Sequence, residues 1–170
     1  MTGELRYITF STEVGWLGIL GSPGGLVRII LPQRSQQDAR RLLGNSADCA
    51  VWSPASFEDL VERFIIYFSG YPTCFPDELD LSRATAFQCK VWEATRLIPY
   101  GETRSYAWVA EQIEKPQAVR AVGQALGKNP LPVIIPCHRV IASDGKLGRF
   151  TDGVAMKRLL LHLEASSFFK

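Results

Sequence analysis

The sequence predicts an α/β chain of the α+β kind: an N-terminal domain over residues 1–80, with a three-stranded antiparallel sheet and helices, and a mostly helical domain over 81–170. Three observations carry this. Short apolar runs broken by turn residues fill the first 31 positions, and helical periodicity dominates beyond residue 85. Between them, YPTCFPDELDLSRAT at 71–85 has two prolines and several acidic residues, which suits a domain boundary.

The first elements are the runs LRYITFST, WLGILGS and LVRIILP. The turn-like EVG and PGG between them fit an antiparallel meander. Residues 35–43 suit a short helix. Over 56–68, apolar residues at 57, 60, 61, 64, 65 and 68 make a helical stripe, with Ser53 or Ser56 as N-cap and Gly70 as stop.

In the second domain AFQCKVWEATRLI, 86–98, reads as an amphipathic helix ended by Pro99-Tyr100-Gly101. Tyr106, Val109, Ala110 and Ile113 then repeat at helical spacing, Glu114-Lys115-Pro116 breaks the pattern, and 117–127 resumes it. Two short helices with a tight break outline a helix-turn-helix. On the second, Ala118, Val119, Ala121, Val122, Ala125 and Leu126 share the buried side, and Arg120, Gly123, Gln124 and Gly127 lie opposite. Glycine inside a helix costs roughly 1 kcal/mol relative to alanine. Gly123 and Gly127 would let the helix backbone come close to another surface while Arg120 projects beyond it, although Gly127 serves equally as a C-cap.

Composition is that of a globular protein, 46% hydrophobic and 21% charged. No apolar run approaches the roughly 20 residues of a membrane helix. The opening MTGELRYITFSTEVG lacks a basic region followed by an apolar one, so a soluble cytoplasmic protein is expected, with no membrane partner. Cysteines 49, 74, 89 and 137 show no CxxC spacing, and the chain has two histidines, which argues against a disulfide scaffold and against a zinc site. Cys49, Cys74 and Cys89 are read as reduced core residues. Residues 1–84 carry 7 arginines and 10 acidic residues, net −3; residues 85–170 carry 12 Lys/Arg and 7 acidic residues, net +5. The basic half suits a polyanionic partner, and an ordinary solvated surface would account for it as well.

The chemistry concentrates in PVIIPCHRVIASDG, 132–145. The apolar VII reads as a buried extended run ending at Pro136, which fixes the chain direction before Cys137. A buried cysteine is most often an inert small hydrophobe, whereas a working thiolate needs a base or a positive environment. Consecutive residues point to different sides, so Cys137 and His138 reach each other through a water rather than directly. A histidine base needs an orienting group, and Glu164 is a candidate. The last helix, 153–165, buries Met156, Leu159, Leu160 and Leu163, with Glu164 at the edge of that stripe and His162 on the far side. A snorkelling surface Glu164 is the alternative.

IPCHRVI, with PYGETRSY and RAVGxAxxxNP upstream and a glycine-containing turn and KxxLLxxE downstream, resembles the O6-alkylguanine-DNA alkyltransferases. The resemblance spans nearly the whole chain, including YFSG at 67–70. It implies a ribonuclease H-like first domain and a winged-helix-like second one. It further implies an irreversible, single-turnover transfer of an alkyl group from O6-alkylguanine, and from O4-alkylthymine, in flipped-out bases of duplex DNA. Cys137 would be the acceptor thiolate, His138 its base through a water, Glu164 the orienting carboxylate and Asn129 the brace of the turn. Arg120 would enter from the minor groove and fill the space of the extruded base, with Ala121, Gly123, Gln124 and Gly127 at close approach. Tyr106 would meet the phosphate backbone and guanine N3, and Ser105 and Arg139 would also contact DNA. Pro132, Val140, Phe150, Thr151 and Asp152 would form the pocket; carbonyls near Cys137 and Val140 would meet the guanine amino group, and an N–H near Thr151 its O6. No cofactor and no metal are implied. A monomer is expected, with cooperativity on DNA left open.

The pocket loop departs from the family. In GRFTDG, 148–153, Phe150 lacks the hydroxyl of a common tyrosine and Asp152 replaces a frequent glycine. Weaker reaction with bulky benzyl-type free bases than with methylated DNA is therefore expected. Three other classes compete. A non-catalytic lesion binder would lack the cysteine, a Cys-His hydrolase leaves Arg120 and its glycines unexplained, and a transcription factor leaves PCHR unexplained.

Overall fold

A computed structural model describes residues 3–166. The chain divides into two compact units, Met1–Leu81 and Ser82–Lys170.

In the first unit, strands β1 (Arg6–Thr12), β2 (Gly15–Ser22) and β3 (Gly25–Gln33) form an antiparallel meander. The expected three-stranded sheet is in fact four-stranded. A two-residue strand β4 (Val51–Trp52) pairs parallel to β1, giving the order β3-β2-β1-β4. Two residues are too few to show a period, so no alternation announces this strand. Helix α1 (Gln36–Leu42) packs on one face of the sheet through Leu43, which clusters with Leu20 and Ala47. Helix α2 (Glu58–Phe68) covers the other, with Phe64 against Phe10 at 6.2 Å between ring centroids.

Neither Ser53 nor Ser56 caps α2. The N-cap is Phe57, and the two serine hydroxyls bond each other at 2.6 Å in the 3₁₀ turn Pro54–Ser56. The expected core placement of Cys49 and Cys74 is also wrong, since both are exposed, and Cys89 is half-buried.

In the second unit, helix α3 (Ala86–Thr95) opens with a Thr85–Gln88 capping box. Strand β5 (Arg104–Ser105) leads into α4 (Tyr106–Gln112), and α5 (Val119–Gly127) follows a tight turn in which Glu114 takes φ 60°. Trp92 of α3 donates its indole N–H to the Ala125 carbonyl at 2.9 Å, which fixes α5 against α3. A 3₁₀ turn Cys137–Arg139 continues into β6 (Val140–Ile141), parallel to β5, and α6 (Val154–Ser166) closes the unit. Among the described residues no helix is long and apolar enough to cross a membrane.

Two helix faces differ from the expectation. On α5, Val122, Ala125 and Leu126 are buried, but Val119 in the first turn is exposed. On α6 the buried residues are Lys157, Leu160 and Glu164, at i, i+3 and i+7, whereas Met156, Leu159 and Leu163 are only partly buried. The expected stripe runs through the leucines, yet the charged Lys157 and Glu164 lie further inside.

Candidate active site

The segment entering the site is a buried turn, not the expected extended run. Pro132 and Ile135 bridge across it, and Val133 between them adopts φ 75°, a conformation a β-branched residue takes only under constraint. Pro136 follows at φ −80°, ψ 62°, an inverse γ-turn closed by the Cys137 N–H on the Ile135 carbonyl at 2.7 Å. This double turn carries the chain inward and sets Cys137 in the 3₁₀ turn, 7% exposed.

Asn129 holds the turn from the side. Its amide donates to the Ile135 carbonyl at 2.8 Å and to the Cys137 sulfur at 3.1 Å, while its own carbonyl accepts the Leu131 N–H at 2.8 Å. Burial pushes the Cys137 thiol up to about 11. The Asn129 hydrogen bond and the Lys157 charge pull it back, and the Asp152 charge adds to the rise. At neutral pH the resting group is a thiol, and nucleophilic work requires a base.

Behind the thiol lies a buried polar set. The Glu164 carboxylate takes His138 Nε2 at 2.7 Å, and Arg139 through Nε at 3.0 Å and a terminal nitrogen at 2.8 Å. It also accepts the Gly101 N–H at 3.3 Å. Burial alone would push Glu164 up, but His138 and Arg139 outweigh it and hold the carboxyl at about 2. Burial lowers the His138 pKa, against the pull of Glu164. The imidazole is therefore neutral at rest. A carboxylate can only accept, so Nε2 carries the proton and Nδ1 keeps the lone pair.

This arrangement corrects one expectation. Arg139 does not face outward toward a polyanion. It is buried, spent on Glu164 and on the Ile98 carbonyl at 2.8 Å, because Glu164 inside the unit needs a full counter-charge.

Lys157 is the residue to which sequence reasoning assigned no role. Fully buried, it donates to the carbonyls of Val140, at 2.6 Å, and Leu147. Its ammonium lies 5.8 Å from the Tyr106 ring centroid, and burial pulls its pKa down to about 8. The available signal was its spacing, i, i+3, i+7 with Leu160 and Glu164.

In front of the thiol opens a cleft of about 740 Å³, lined by Tyr106, by Arg120, Gly123, Gln124, Leu126 and Gly127 of α5, by Cys137, and by residues 148–151. Gly148 has φ 72°, and a Cβ there would stand 2.7 Å from the Tyr106 hydroxyl, so only glycine allows this approach. Across the cleft, Thr151 Oγ1 donates to the Gly127 carbonyl at 2.6 Å, tying the loop to the end of α5. Gly123 and Gly127 differ from Gly148. Neither has positive φ, a Cβ at Gly123 would meet nothing closer than 3.9 Å, and one at Gly127 nothing within 4 Å. The fold itself does not require glycine at either position. Gly127 is the last residue of α5 and Lys128 its C-cap.

The DNA-binding domain model described as 6-O-methylguanine DNA methyltransferase matches residues 86–166. The methylated-DNA–protein-cysteine methyltransferase of Mycobacterium tuberculosis is 41% identical over 95% of this chain and 93% of its own. The chain belongs to the methylated-DNA–protein-cysteine methyltransferase family. The Methanosarcina acetivorans member of the family is 44% identical over 95% of this chain and 99% of its own. A crystal structure of the M. tuberculosis protein in complex with DNA superposes with a TM-score of 0.80, at 42% identity, over 95% and 94% of the two chains. The fold is likewise that of the Pyrococcus kodakaraensis O6-methylguanine-DNA methyltransferase, TM-score 0.71.

The remaining expected residues of this family member divide by position. Ser105 caps α4, accepting the Trp108 N–H at 3.0 Å. Ala121 is half-buried on α5, while Arg120 and Gln124 are exposed at the cleft. Pro132 and Val140 are buried behind the cleft and do not line it, and Asp152 lies exposed just beyond its lining. The Val140 carbonyl, expected to meet a guanine amino group, already accepts from Lys157 at 2.6 Å.

Proposed function

We propose that this chain repairs DNA by moving the alkyl group of an O6-alkylguanine onto Cys137, once per molecule. One observation carries the reading. A buried thiol, held at neutral pH by its own high pKa, sits at the cleft backed by a neutral histidine whose tautomer Glu164 fixes.

The thiol proton passes through a water to His138 Nδ1, leaving a thiolate and an imidazolium that Glu164 stabilises. Sulfur attacks the alkyl carbon in line; the C–S bond forms as the C–O6 bond breaks, and the electron pair leaves with the guanine. Tyr106, which lines the cleft, donates a hydrogen bond to the departing anion, and the proton that His138 took from the thiol returns through water to the purine, so both end neutral. The thioether has no activated carbonyl, so nothing hydrolyses it, and the protein stops after one turnover.

The base reaches the thiol by flipping out of the duplex, at a cost of about a few kcal/mol that is least for a lesion that pairs badly. Arg120 takes its place from the minor groove. Gly123 and Gly127, unexplained by packing within the protein, admit the close approach of α5. The basic second domain supplies phosphate affinity. O4-alkylthymine is a second substrate, and the protein acts as a monomer in the cytoplasm.

The test is intact mass after mixing with a duplex carrying one O6-methylguanine. One methyl per molecule, absent in Cys137→Ala, is expected. Tight binding with no mass gain would reduce the protein to a lesion binder, and neither gain nor binding would reopen the Cys-His hydrolase reading.

A further inference from the structure

We infer that Arg149 is a second DNA-contacting arginine, which grips a backbone phosphate beside the extruded nucleotide while Arg120 occupies the duplex. The inference rests on the alkyl-transfer reading and deepens it.

Two arginines line the cleft, Arg120 on α5 and Arg149 on the facing loop. The other arginines around this site have work inside the protein: Arg139 is spent on Glu164, and Arg104 pairs with Glu102 at 3.6 Å. Arg120 and Arg149 are both exposed, and neither guanidinium makes a hydrogen bond or ion pair among the described residues. Guanidinium groups left without a carboxylate on two walls of one cleft attract a polyanion.

The loop that carries Arg149 is pinned rather than loose. On one side Gly148 abuts the Tyr106 hydroxyl, and on the other Thr151 is tied to the Gly127 carbonyl. The Gly153 N–H donates to the Phe150 carbonyl at 2.9 Å, tightening the turn that follows. Arg149 therefore projects from a backbone fixed at both ends, against the helix that presents Arg120. A base that enters the cleft between these walls brings its own flanking phosphates to the rim, where a planar fork binds a phosphate bidentately. A guanidinium confined to the rim reaches no base edge, so the contact carries no sequence preference.

The test follows the second-order rate of methyl transfer to Cys137, by intact mass, on a lesion duplex from about 50 to about 200 mM salt. For Arg149→Gln the log–log salt slope should fall by about 0.9, and the rate at low salt by about tenfold. The loss should sit in the apparent affinity and leave the saturating rate within about twofold, as expected of a contact present before and during the chemistry. Arg149→Lys, which keeps the charge, should keep the slope. An unchanged slope in Arg149→Gln overturns the inference, and so does a loss in Arg149→Lys equal to that in Arg149→Gln. Absence of methyl transfer in the unmutated protein would instead overturn the parent reading, so the two failures are told apart.

Discussion

Arg63 in the first unit and Arg139 in the second hold their carboxylates in nearly the same way and to different ends. Arg63 grips Asp77 with two nitrogens at 2.7 Å each, and Asp59 at 3.2 Å. The Arg63 and Asp77 side chains keep 18% and 17% exposure, and the pair ties residues 74–77 to α2. Arg139 grips Glu164 at 10% and 1% exposure, and the same carboxylate holds His138. Water still reaches the first pair, so either member can lose its partner and be solvated. Nothing solvates Glu164 if its partners go. A buried ion pair is weak evidence of stability. What the second pair adds is orientation, since an ionised Glu164 dictates which imidazole nitrogen is the base.

The largest effect should therefore come from Glu164→Ala, which strands Arg139. Denaturant unfolding should show a loss of about 3–5 kcal/mol, far above any change at Arg63. Glu164→Gln keeps the volume but lets the ring choose its tautomer. Methyl transfer should fall roughly hundredfold or more while the circular dichroism stays native. A Gln variant that transfers at the normal rate would strip Glu164 of its orienting role. Acid sharpens the contrast. The carboxyl is depressed in the folded state, so its contribution is whole above the ordinary value of 4.5 and is lost as the pH falls toward about 2. Denaturation midpoints measured down that range should fall with pH, and the fall should be shallower in Glu164→Gln, where the lowered His138 still contributes.

Lys157 comes next, as a buried cation with no carboxylate among its hydrogen-bond partners. Folding lowers its pKa from 10.5 to about 8, so from about 8 upward the unfolded chain binds more protons at this group and stability should rise with pH, until above 9 the raised Cys137 thiol works in the opposite sense. Lys157→Met should flatten that rise, and a retained rise would assign it to another group. Since the ammonium helps to lower the Cys137 pKa, the variant should also slow methyl transfer roughly tenfold and move the alkaline limb of the rate profile upward.

What was legible in the sequence follows from where each signal lies. The meander and the helix-turn-helix are written in local periodicity and turn residues, and both formed with small shifts of their ends. PCHR and the distant Glu164 were legible as types of chemistry. The pairing of Arg139 with Glu164, 25 residues apart, and the burial of Lys157 were not, because side-chain burial on a helix face depends on what packs there. A wheel ranks leucine above lysine, whereas Glu164 and the carbonyls of Val140 and Leu147 reverse that order. Likewise VII was read as a strand from its composition, and a φ of 75° at Val133, imposed by the closure between Pro132 and Ile135, leaves no mark in residue type.

The smallest effects belong to the first pair. Arg63→Met keeps most of the aliphatic stem and removes both carboxylate contacts together with the guanidinium, whose carbon stands 5.5 Å from the Phe75 ring centroid. It should cost about 1 kcal/mol in denaturant unfolding, since Asp77 retains access to water. Asp59→Asn should change stability by less than about 0.5 kcal/mol, because Asp59 is 87% exposed and salt already screens it. Neither substitution should alter the methyl-transfer rate. If Arg63→Met slowed transfer as Glu164→Gln does, the division of labour between the two pairs would fail, and the first unit would have to be counted as part of the catalytic apparatus.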